Sequence, residues 1–205
     1  YELTITYSDN RKRKMHRNLG EGIVDKIVTG FLCTIPEMKE KLEGGGNIMI
    51  NLGTLKEITD LRSVWSHEAL NFTPWVAENV DLLADAVGLD ITVDETESSV
   101  GDFNVDIYAS ETGTDRKIII ENQLEDTDHD HLGKLITYAS GKDADVVIWV
   151  VKHAREEHKA AVEWLNNHTD DKIGFFLCEI KLFQIGDSDI APSFTVVERP
   201  NDWTK

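Results

Sequence analysis

The sequence has few of the cysteines typical of extracellular proteins and none of the long apolar runs typical of membrane-spanning proteins. It contains 2 cysteines and 4 prolines in 205 residues, and Cys33 and Cys178 lie in unrelated apolar contexts without the spacing of a metal site. We therefore expect both cysteines to be reduced core residues, with a disulfide as the less favoured alternative. No apolar run approaches the roughly 20 residues needed to cross a bilayer, and the N-terminus has no signal-peptide pattern. These absences predict a soluble cytoplasmic protein with no membrane partner.

Positive charge is also scarce, since 21 Lys and Arg residues stand against 38 Asp and Glu residues, giving a net charge of -17. A protein of this charge lacks the positive potential typical of nonspecific nucleic-acid binders. Residues 1–66 hold 10 basic against 9 acidic residues, whereas residues 67–205 hold 11 against 29. One basic run in the first part could contact phosphates, although a solvated turn or helix face explains a single short run equally well. The run comprises Arg11, Lys12, Arg13, Lys14 and Arg17.

A chain of this length that is 40% hydrophobic can form one full domain and a smaller appended unit. Three consecutive glycines, residues 44–46, interrupt the pattern in the first region. We place the boundary between residues 46 and 66, so that a small N-terminal α+β region spans 1–60 and the main domain spans 61–205. The first region could bind DNA, form a homodimer or cap the main domain. Its pattern predicts strands at 3–7 and 47–52 and helices at 21–32 and 36–42.

The pattern becomes clearer after Thr73, a good helix N-cap that is followed by Pro74 at the first helical position. Apolar residues at helical spacing then predict a helix that ends at Gly88. The order of predicted elements is α-β-β-β-α-β-α-β-β, which indicates an α/β fold with helices around a mixed central sheet. Helices are expected at 74–87, 128–139 and 155–166, and strands at 89–93, 104–109, 117–123, 145–151, 173–185 and 194–197.

Two other groups of residues are interpreted as structural. The acidic run at residues 94–97 is most simply a solvated loop, which would repel DNA if it faced a binding cleft. Four tryptophans are most simply packing residues, although an exposed one could stack on a base. They are Trp65, Trp75, Trp149 and Trp164.

Two carboxylates occupy positions where a charge is costly. Asp106 lies in the middle of one predicted strand, and Glu121 follows the apolar run 118–120 on the next. A buried carboxylate needs a partner or a metal, because desolvation otherwise neutralises it. A hairpin can bring both groups to one side of the sheet, where oxygen ligands suit Mg²⁺ or Mn²⁺. Since side chains alternate along a strand, Gln123 shares a face with Glu121 and completes the predicted site.

The helix predicted after these strands has a face that could reach the same site. His131, Lys134 and Tyr138 share that face at spacings i, i+3 and i+7, opposite an apolar stripe. Without the two carboxylates, an ordinary amphipathic surface would be the better interpretation of Lys134 and Tyr138. His131 could extend a metal site or touch a phosphate, or belong to an electrostatically favourable helix start, and for His129 the helix start is the better interpretation. The apolar stripe is Leu132, Leu135, Ile136 and Ala139.

Asp106, a turn, and Glu121-Asn122-Gln123 after an apolar strand resemble the motif of the PD-(D/E)XK nuclease superfamily, whose fold is called restriction-endonuclease-like. The order of predicted elements is similar to the αβββαβ core of that superfamily. A more specific likeness, over about residues 52–151, is to a family of bacterial and archaeal proteins of uncharacterised function. It is carried by His67-Glu68-Ala69, Phe72-Thr73-Pro74-Trp75, residues 120–124 and residues 128–133.

The resemblance implies a metal-dependent nuclease that hydrolyses phosphodiester bonds of nucleic acid, with DNA as the favoured substrate and RNA as the alternative, and with one or two Mg²⁺ or Mn²⁺ ions as cofactor. Gln123 falls where the motif has lysine, and a glutamine can only hydrogen-bond. Lys134 could supply the missing ammonium, because Lys134 to Tyr138 also resembles the Gln-x-x-x-Tyr motif of RecB-like members. The implied metal ligands are Glu78, Asp106, Glu121 and the main-chain carbonyl of Asn122, and the implied catalytic residues are Asp106, Glu121, Gln123 and Lys134.

Gln123 leaves two further classes of function open. A non-catalytic module would keep the fold and use the basic N-terminal region to recognise nucleic acid or a protein partner. Gln123 favours this class, whereas the presence of both Asp106 and Glu121 disfavours it. A protein-interaction or assembly subunit would suit the acidic surface and predicts no dependence on divalent metal.

Overall fold

The computed structural model describes residues 2–6, 12–16, 52–101 and 103–201. The chain divides into two compact units, Tyr1–Leu52 and Gly53–Lys205. Among the described residues, no helix is both long enough and apolar enough to cross a membrane.

The described part of the first unit is an antiparallel pair of strands, β1 (Glu2–Thr6) and β2 (Lys12–His16). The strand expected at 3–7 is therefore present as β1. The basic residues Lys12, Arg13 and Lys14 lie in β2, so the interpretation of this run as a turn or a helix face is wrong for them. The predicted helices at 21–32 and 36–42 and most of the predicted strand at 47–52 lie outside the described residues, as do Arg11, Arg17 and Cys33.

The second unit is built around a seven-stranded mixed sheet with the strand order β3-β8-β7-β6-β5-β4, in which β9 pairs with β8. The pairs β6–β7 and β7–β8 are parallel, and the other pairs are antiparallel. Parallel neighbours need a crossover, which a helix supplies in each case. The strands are β3 (Leu55–Ile58), β4 (Ile91–Val100), β5 (Phe103–Glu111), β6 (Lys117–Asp126), β7 (Val146–His153), β8 (Gly174–Ile185) and β9 (Ala191–Glu198).

Helices flank both faces of this sheet. Because side chains alternate along β6, Ile118 and Ile120 pack with Phe72, Val76 and Leu83 on one face, in the first core cluster. Ile119 packs on the other face with Leu135, Trp149 and Val162, in the second core cluster. The predicted α/β fold with a mixed sheet between helices is therefore confirmed. The helices are a 3₁₀ turn (Leu61–Ser63), a π-helix (Glu68–Phe72), α1 (Thr73–Glu78), α2 (Val80–Val87), α3 (His129–Lys142) and α4 (Glu156–His168).

The prediction of a single helix at 74–87 with Thr73 as its N-cap is wrong. Helical structure begins earlier, at Glu68, and Thr73 lies buried within it. The run is interrupted at Asn79, which has φ -119° and ψ 30° and whose Nδ2 donates to the main-chain oxygen of Trp75 at 2.9 Å. A side-chain amide that bonds to the preceding turn competes with the helix hydrogen bonds. The helical segment does end at Gly88, in the left-handed conformation that glycine accepts.

The acidic run at 94–97 is not a loop, because β4 continues through it to Val100. A β-bulge between Val93 and Glu95 shifts the register with β5. All four side chains of the run are exposed. The extra residue of a bulge breaks the alternation by which strands are predicted, and this explains why the strand was expected to end at residue 93.

The predicted structural roles of cysteine and tryptophan are borne out only in part. Cys178 is fully buried with a free thiol, and burial raises its pKa to about 12. Trp65 and Trp149 are buried and Trp75 is partly buried, in agreement with packing roles. Trp164 is 58% exposed and stacks on the ring of His168 with centroids 4.4 Å apart.

Phe72 is expected to be a large contributor to the stability of the second unit. Its side chain is fully buried, and its ring centroid lies 4.8 Å from that of Trp65. Because truncation leaves a cavity in the first core cluster, Phe72→Ala should lower the free energy of unfolding by about 3 to 5 kcal/mol in urea titrations. Leu70→Ala is the control, since Leu70 is 74% exposed on the same π-helix, and its effect should stay within about 0.5 kcal/mol. Equal effects of both substitutions would contradict this packing.

Candidate active site

The main-chain pairing of strands β5 and β6 stops next to two acidic residues, Asp106 and Glu121. Their antiparallel ladder ends at the pair Ile107 and Ile120. At the next pair, Asp106 and Glu121, carboxylate side chains accept the hydrogen bonds of main-chain N–H groups. The main-chain N–H of Asp106 donates to Oε1 of Glu121 at 3.3 Å, and the N–H of Asn122 donates to Oδ2 of Asp106 at 2.8 Å. The carboxyl groups of Asp106 and Glu121, here called the carboxyl pair, therefore lie opposite each other across the point where the strands part.

Burial makes ionisation of the carboxyl pair costly. Glu121 is 4% exposed and Asp106 is partly buried. Burial raises the pKa of Asp106 to about 7, although the N–H of Asn122 acts in the opposite direction. Burial and then the charge of Asp106 raise the pKa of Glu121 to about 8. Two neighbouring buried acids therefore hold protons near neutral pH unless a cation compensates their charge.

Two charged residues from helical segments act on the carboxyl pair. Glu68 raises the pKa of both acids, and Lys134 on α3 lowers it. Glu68 is also fixed to β6, since its Oε2 accepts from the N–H of Leu124 at 2.5 Å. Lys134 is exposed and forms no hydrogen bond or ion pair with another residue that the structure describes. Its ammonium group is therefore available to the carboxyl pair or to a bound anion.

The structure brings Glu68, rather than Glu78, to the carboxyl pair. Glu78 is exposed at the last residue of α1, and no contact within the described ranges joins it to either acid. The family pattern assigns the helical acid to Glu78, on the helix predicted at 74–87. Glu68 stands in His67-Glu68-Ala69, so the sequence contained the residue, but only the early start of the helical run places it at the site.

The Gln123 side chain connects β6 to the start of α3 by hydrogen bonds. Its Nε2 donates to the main-chain oxygen of Asp126 at 2.9 Å and to Oδ2 of Asp128 at 2.7 Å. Because the nitrogen faces those two acceptors, Oε1 points away from them, and it is buried without a hydrogen-bond partner among the described residues. Gln123 therefore offers an acceptor for a water molecule, but it supplies none of the positive charge of a lysine.

Asn122 ties the site to the opposite face of the sheet. Its Nδ2 donates to Oγ1 of Thr73 at 3.1 Å, while its main-chain N–H holds Asp106. Thr73 therefore anchors α1 to β6 rather than capping a helix. These contacts fix the residue whose main-chain carbonyl the family pattern assigns to a metal.

The predicted division of α3 into a polar and an apolar face is wrong at two positions. Tyr138 is 4% exposed and packs in the second core cluster with Leu135, whereas Ile136 is 46% exposed. Tyr138 nevertheless lies close to the site, because burial and then the charges of Glu121 and Asp106 raise its pKa. Its aromatic ring forms part of the second core cluster.

The histidines at the start of α3 contact the helix termini instead of the carboxyl pair. Asp128 is the N-cap, and its Oδ1 accepts from the N–H of His131 at 2.8 Å and lies 2.9 Å from Nδ1 of the same residue. Burial raises the pKa of Asp128, but these hydrogen bonds outweigh it and the net shift is downward. Nδ1 of His129 lies 2.8 Å from Nε2 of His158 on α4. The helix-terminus interpretation therefore fits both His129 and His131.

The donor set of the site suits a hard divalent cation. Mg²⁺ keeps several of its waters and binds through one or two carboxylates, which Asp106 and Glu121 supply. A cation between them would offset the cost of burying two negative charges and would lower the pKa of both acids. Among residues 52–101 and 103–201, no three His, Cys, Asp or Glu side chains are grouped as a ready-made metal site. Water or substrate would therefore fill the remaining coordination positions.

Two cavities of the described chain lie away from the carboxyl pair. One of about 510 Å³ is lined by Glu111, Arg116 and Asn166, and one of about 650 Å³ lies between α3 and α4 near Ile136 and Leu165.

The chain matches no protein-family model, no curated protein and no solved structure. The resemblance to PD-(D/E)XK nucleases therefore rests on the order of the elements and on the carboxyl pair. Both of these features are properties of the second unit alone.

Proposed function

We propose that the second unit is a metal-dependent nuclease with a restriction-endonuclease-like core, which hydrolyses phosphodiester bonds of nucleic acid, with DNA as the first candidate. The observation that carries the proposal is the buried carboxyl pair of Asp106 and Glu121. Two acids held together in a partly dry site destabilise a fold unless a proton or a cation compensates them. Perturbed ionisable groups of this kind are typical of functional sites.

The order of the structural elements supports the proposal. Helices α1 and α2 precede the antiparallel strands β4, β5 and β6, and α3 then leads to β7, which runs parallel to β6. The αβββαβ core of the superfamily would have the same order of elements, and its motif would place the two acids on the second and third strands. A shared fold alone would not define an activity, so the position of the acids carries more weight than the order.

Each residue of the proposed site has a separate role. Asp106, Glu121 and the main-chain carbonyl of Asn122 would hold Mg²⁺ or Mn²⁺. Such a cation, when bound, supplies hydroxide near neutral pH and neutralises charge on the phosphate. Lys134 places an ammonium group where negative charge develops on the phosphate oxygens. The Oε1 of Gln123 accepts a hydrogen bond from the attacking water and orients it.

A nuclease-fold module that binds without cutting is the second candidate function. Gln123 favours it, because the amide is held by Asp126 and Asp128 and brings no positive charge to the site. This candidate would bind nucleic acid or a protein partner, and its metal dependence would be confined to stability.

Cleavage of labelled nucleic acids tests the proposal. Single-stranded DNA, double-stranded DNA and RNA of one length and sequence are incubated with Mg²⁺, Mn²⁺ or EDTA. We expect cutting with either metal and none with EDTA, because the carboxyl pair alone has no electrophile to offer the phosphate. Cutting that persists in EDTA would contradict the proposal. Nucleic-acid binding in a gel-shift assay without cutting would favour the second candidate.

Lys134→Met is expected to lower the rate of cleavage about 100-fold, since it removes an ammonium group from a partly desolvated site. The affinity for Mn²⁺ should not fall, because a nearby positive charge opposes cation binding. Lys159→Met on α4 is the control for the loss of one lysine, since Nζ of Lys159 lies 4.0 Å from Glu156 and contacts no part of the carboxyl pair. Equal rates for the two variants would exclude Lys134 from catalysis.

A further inference from the structure

A third acid lies in line with the carboxyl pair. The register of β4 with β5 is the same at Thr96 and at Ser98, which places Glu97 directly opposite Asp106. On the other side of Asp106, Glu121 is its neighbour on β6. Residues directly opposite on adjacent strands have Cβ atoms about 5 Å apart. The acidic row, defined as Glu97, Asp106 and Glu121, therefore crosses three adjacent strands.

Glu97 has a backbone conformation that side-chain-bearing residues rarely adopt. Its φ is 53°, in the left-handed region. The segment around it is anchored, because the buried Oγ of Ser98 accepts from Nζ of Lys142 at 2.6 Å and donates to Oε2 of Glu95 at 2.5 Å. The fold therefore keeps a glutamate in a conformation that glycine would accept at lower cost.

The charge of Glu97 acts on the site. It raises the pKa of Asp106 and, after burial and the charges of the carboxyl pair, that of Tyr138. The Glu97 side chain is exposed, and its carboxylate forms no hydrogen bond or ion pair with another described residue. A carboxylate in this position adds repulsion to two buried acids, and only a cation or its hydration shell would turn that repulsion into attraction.

Gln123 gives an independent indication of a hydrated ligand at the same place. It is 2% exposed, its Oε1 has no donor within residues 52–101 and 103–201, and it shares a face of β6 with Glu121. A buried acceptor without a donor is costly, so its presence next to the acids favours a donor from outside the described part of the chain. Water molecules on a divalent cation are donors of this kind.

On the premise of the proposed nuclease function, we propose that Glu97 is a positioning residue that holds the hydration shell of the divalent cation bound by Asp106 and Glu121. The acidic row runs across the sheet and does not converge as three direct ligands, in agreement with the absence of a three-residue metal cluster among the described residues. Glu97 therefore accepts hydrogen bonds from the waters of the cation. Its left-handed conformation sets the direction of the carboxylate.

Calorimetric titration with Mn²⁺, combined with thermal unfolding in EDTA, tests this role. Glu97→Gln should weaken Mn²⁺ binding about 10-fold, as expected for loss of a residue that orients metal ligands. Glu97→Gly should weaken it at least as much, yet raise the unfolding temperature by about 2 to 4 °C because glycine accepts the positive φ. Asp94→Asn is the control, since it neutralises an exposed acid of the same strand, and its Mn²⁺ affinity should stay within about twofold of wild type.

The outcomes separate this role from the proposed function. Wild-type affinity in Glu97→Gln, with the wild-type protein binding Mn²⁺ through Asp106 and Glu121, would overturn the role of Glu97 alone. An equal loss in Asp94→Asn and Glu97→Gln would also overturn it, because general surface charge would then be the cause. No Mn²⁺ binding by the wild-type protein would overturn the metal site and this role with it.

Discussion

Glu121→Gln and Asp106→Asn are each expected to lower metal-dependent cleavage by at least about a thousandfold. Each substitution removes one of the two charges of the carboxyl pair while it preserves the shape of the side chain. The hydrogen bonds that the two residues accept from main-chain N–H groups can persist, because an amide oxygen is also an acceptor. Single-turnover cleavage with Mg²⁺ at pH 8 measures the loss without interference from product release.

Two further variants test whether Glu68 or Glu78 is the helical acid of the site. Glu68→Gln should reduce cleavage about 10-fold, since its charge acts on both members of the pair. Glu78→Gln is the matched control and should leave the rate unchanged, because Glu78 is exposed at the end of α1. A loss of cleavage in Glu78→Gln but not in Glu68→Gln would mean that Glu78 is the helical acid, as the resemblance implies.

The same two substitutions of the carboxyl pair are expected to stabilise the metal-free protein at alkaline pH. In the fold the pKa is about 7 for Asp106 and about 8 for Glu121, against 3.8 and 4.5 for ordinary groups. A raised pKa means that the folded protein holds the proton more tightly, so the stability present below about pH 4 is lost as pH rises through 7 to 8. In EDTA at pH 9, Glu121→Gln should therefore raise the free energy of unfolding by roughly 2 kcal/mol or more.

Urea titrations at pH 5 and pH 9 measure this difference. At pH 5 the folded protein keeps both protons, so the gain from Glu121→Gln should be much smaller than at pH 9. Saturating Mn²⁺ at pH 9 should reverse the ranking, because a ligand that binds only the folded wild-type protein stabilises it selectively. A gain of the same size at both pH values would show that the raised pKa of the pair is not what destabilises the metal-free protein.

The parts of the fold that local pattern specifies were predictable from the sequence. The almost continuous apolar run at 145–151 predicts β7, because a strand buried on both faces is rich in apolar residues. Boundaries that depend on distant contacts were not predictable. The helical run starts at Glu68, whose carboxylate is fixed by β6, and it breaks at Asn79, whose amide bonds to the preceding turn. Neither contact leaves a periodic trace in the sequence.

The candidate site divides in the same way. Asp106 and Glu121 stand out in sequence because a charge inside an apolar strand is costly wherever that strand lies. Glu97 does not stand out, because an exposed acidic run is typical of loops, and only the register across the bulge in β4 sets it opposite Asp106. Tyr138 was placed on the wrong face of α3, since the packing of the helix on the sheet decides which of its residues are buried.

The position of β4 at the end of the strand order gives its acidic run a second consequence. No strand within the described ranges pairs with the outer side of this ten-residue strand, so its main-chain groups could recruit a strand from another molecule. Natural proteins oppose such pairing with charged side chains and with bulges that twist the edge away. Asp94, Glu95 and Glu97 supply the charges, and the shift between Val93 and Glu95 supplies the bulge. These charges and the bulge therefore oppose aggregation of the sheet through its β4 edge.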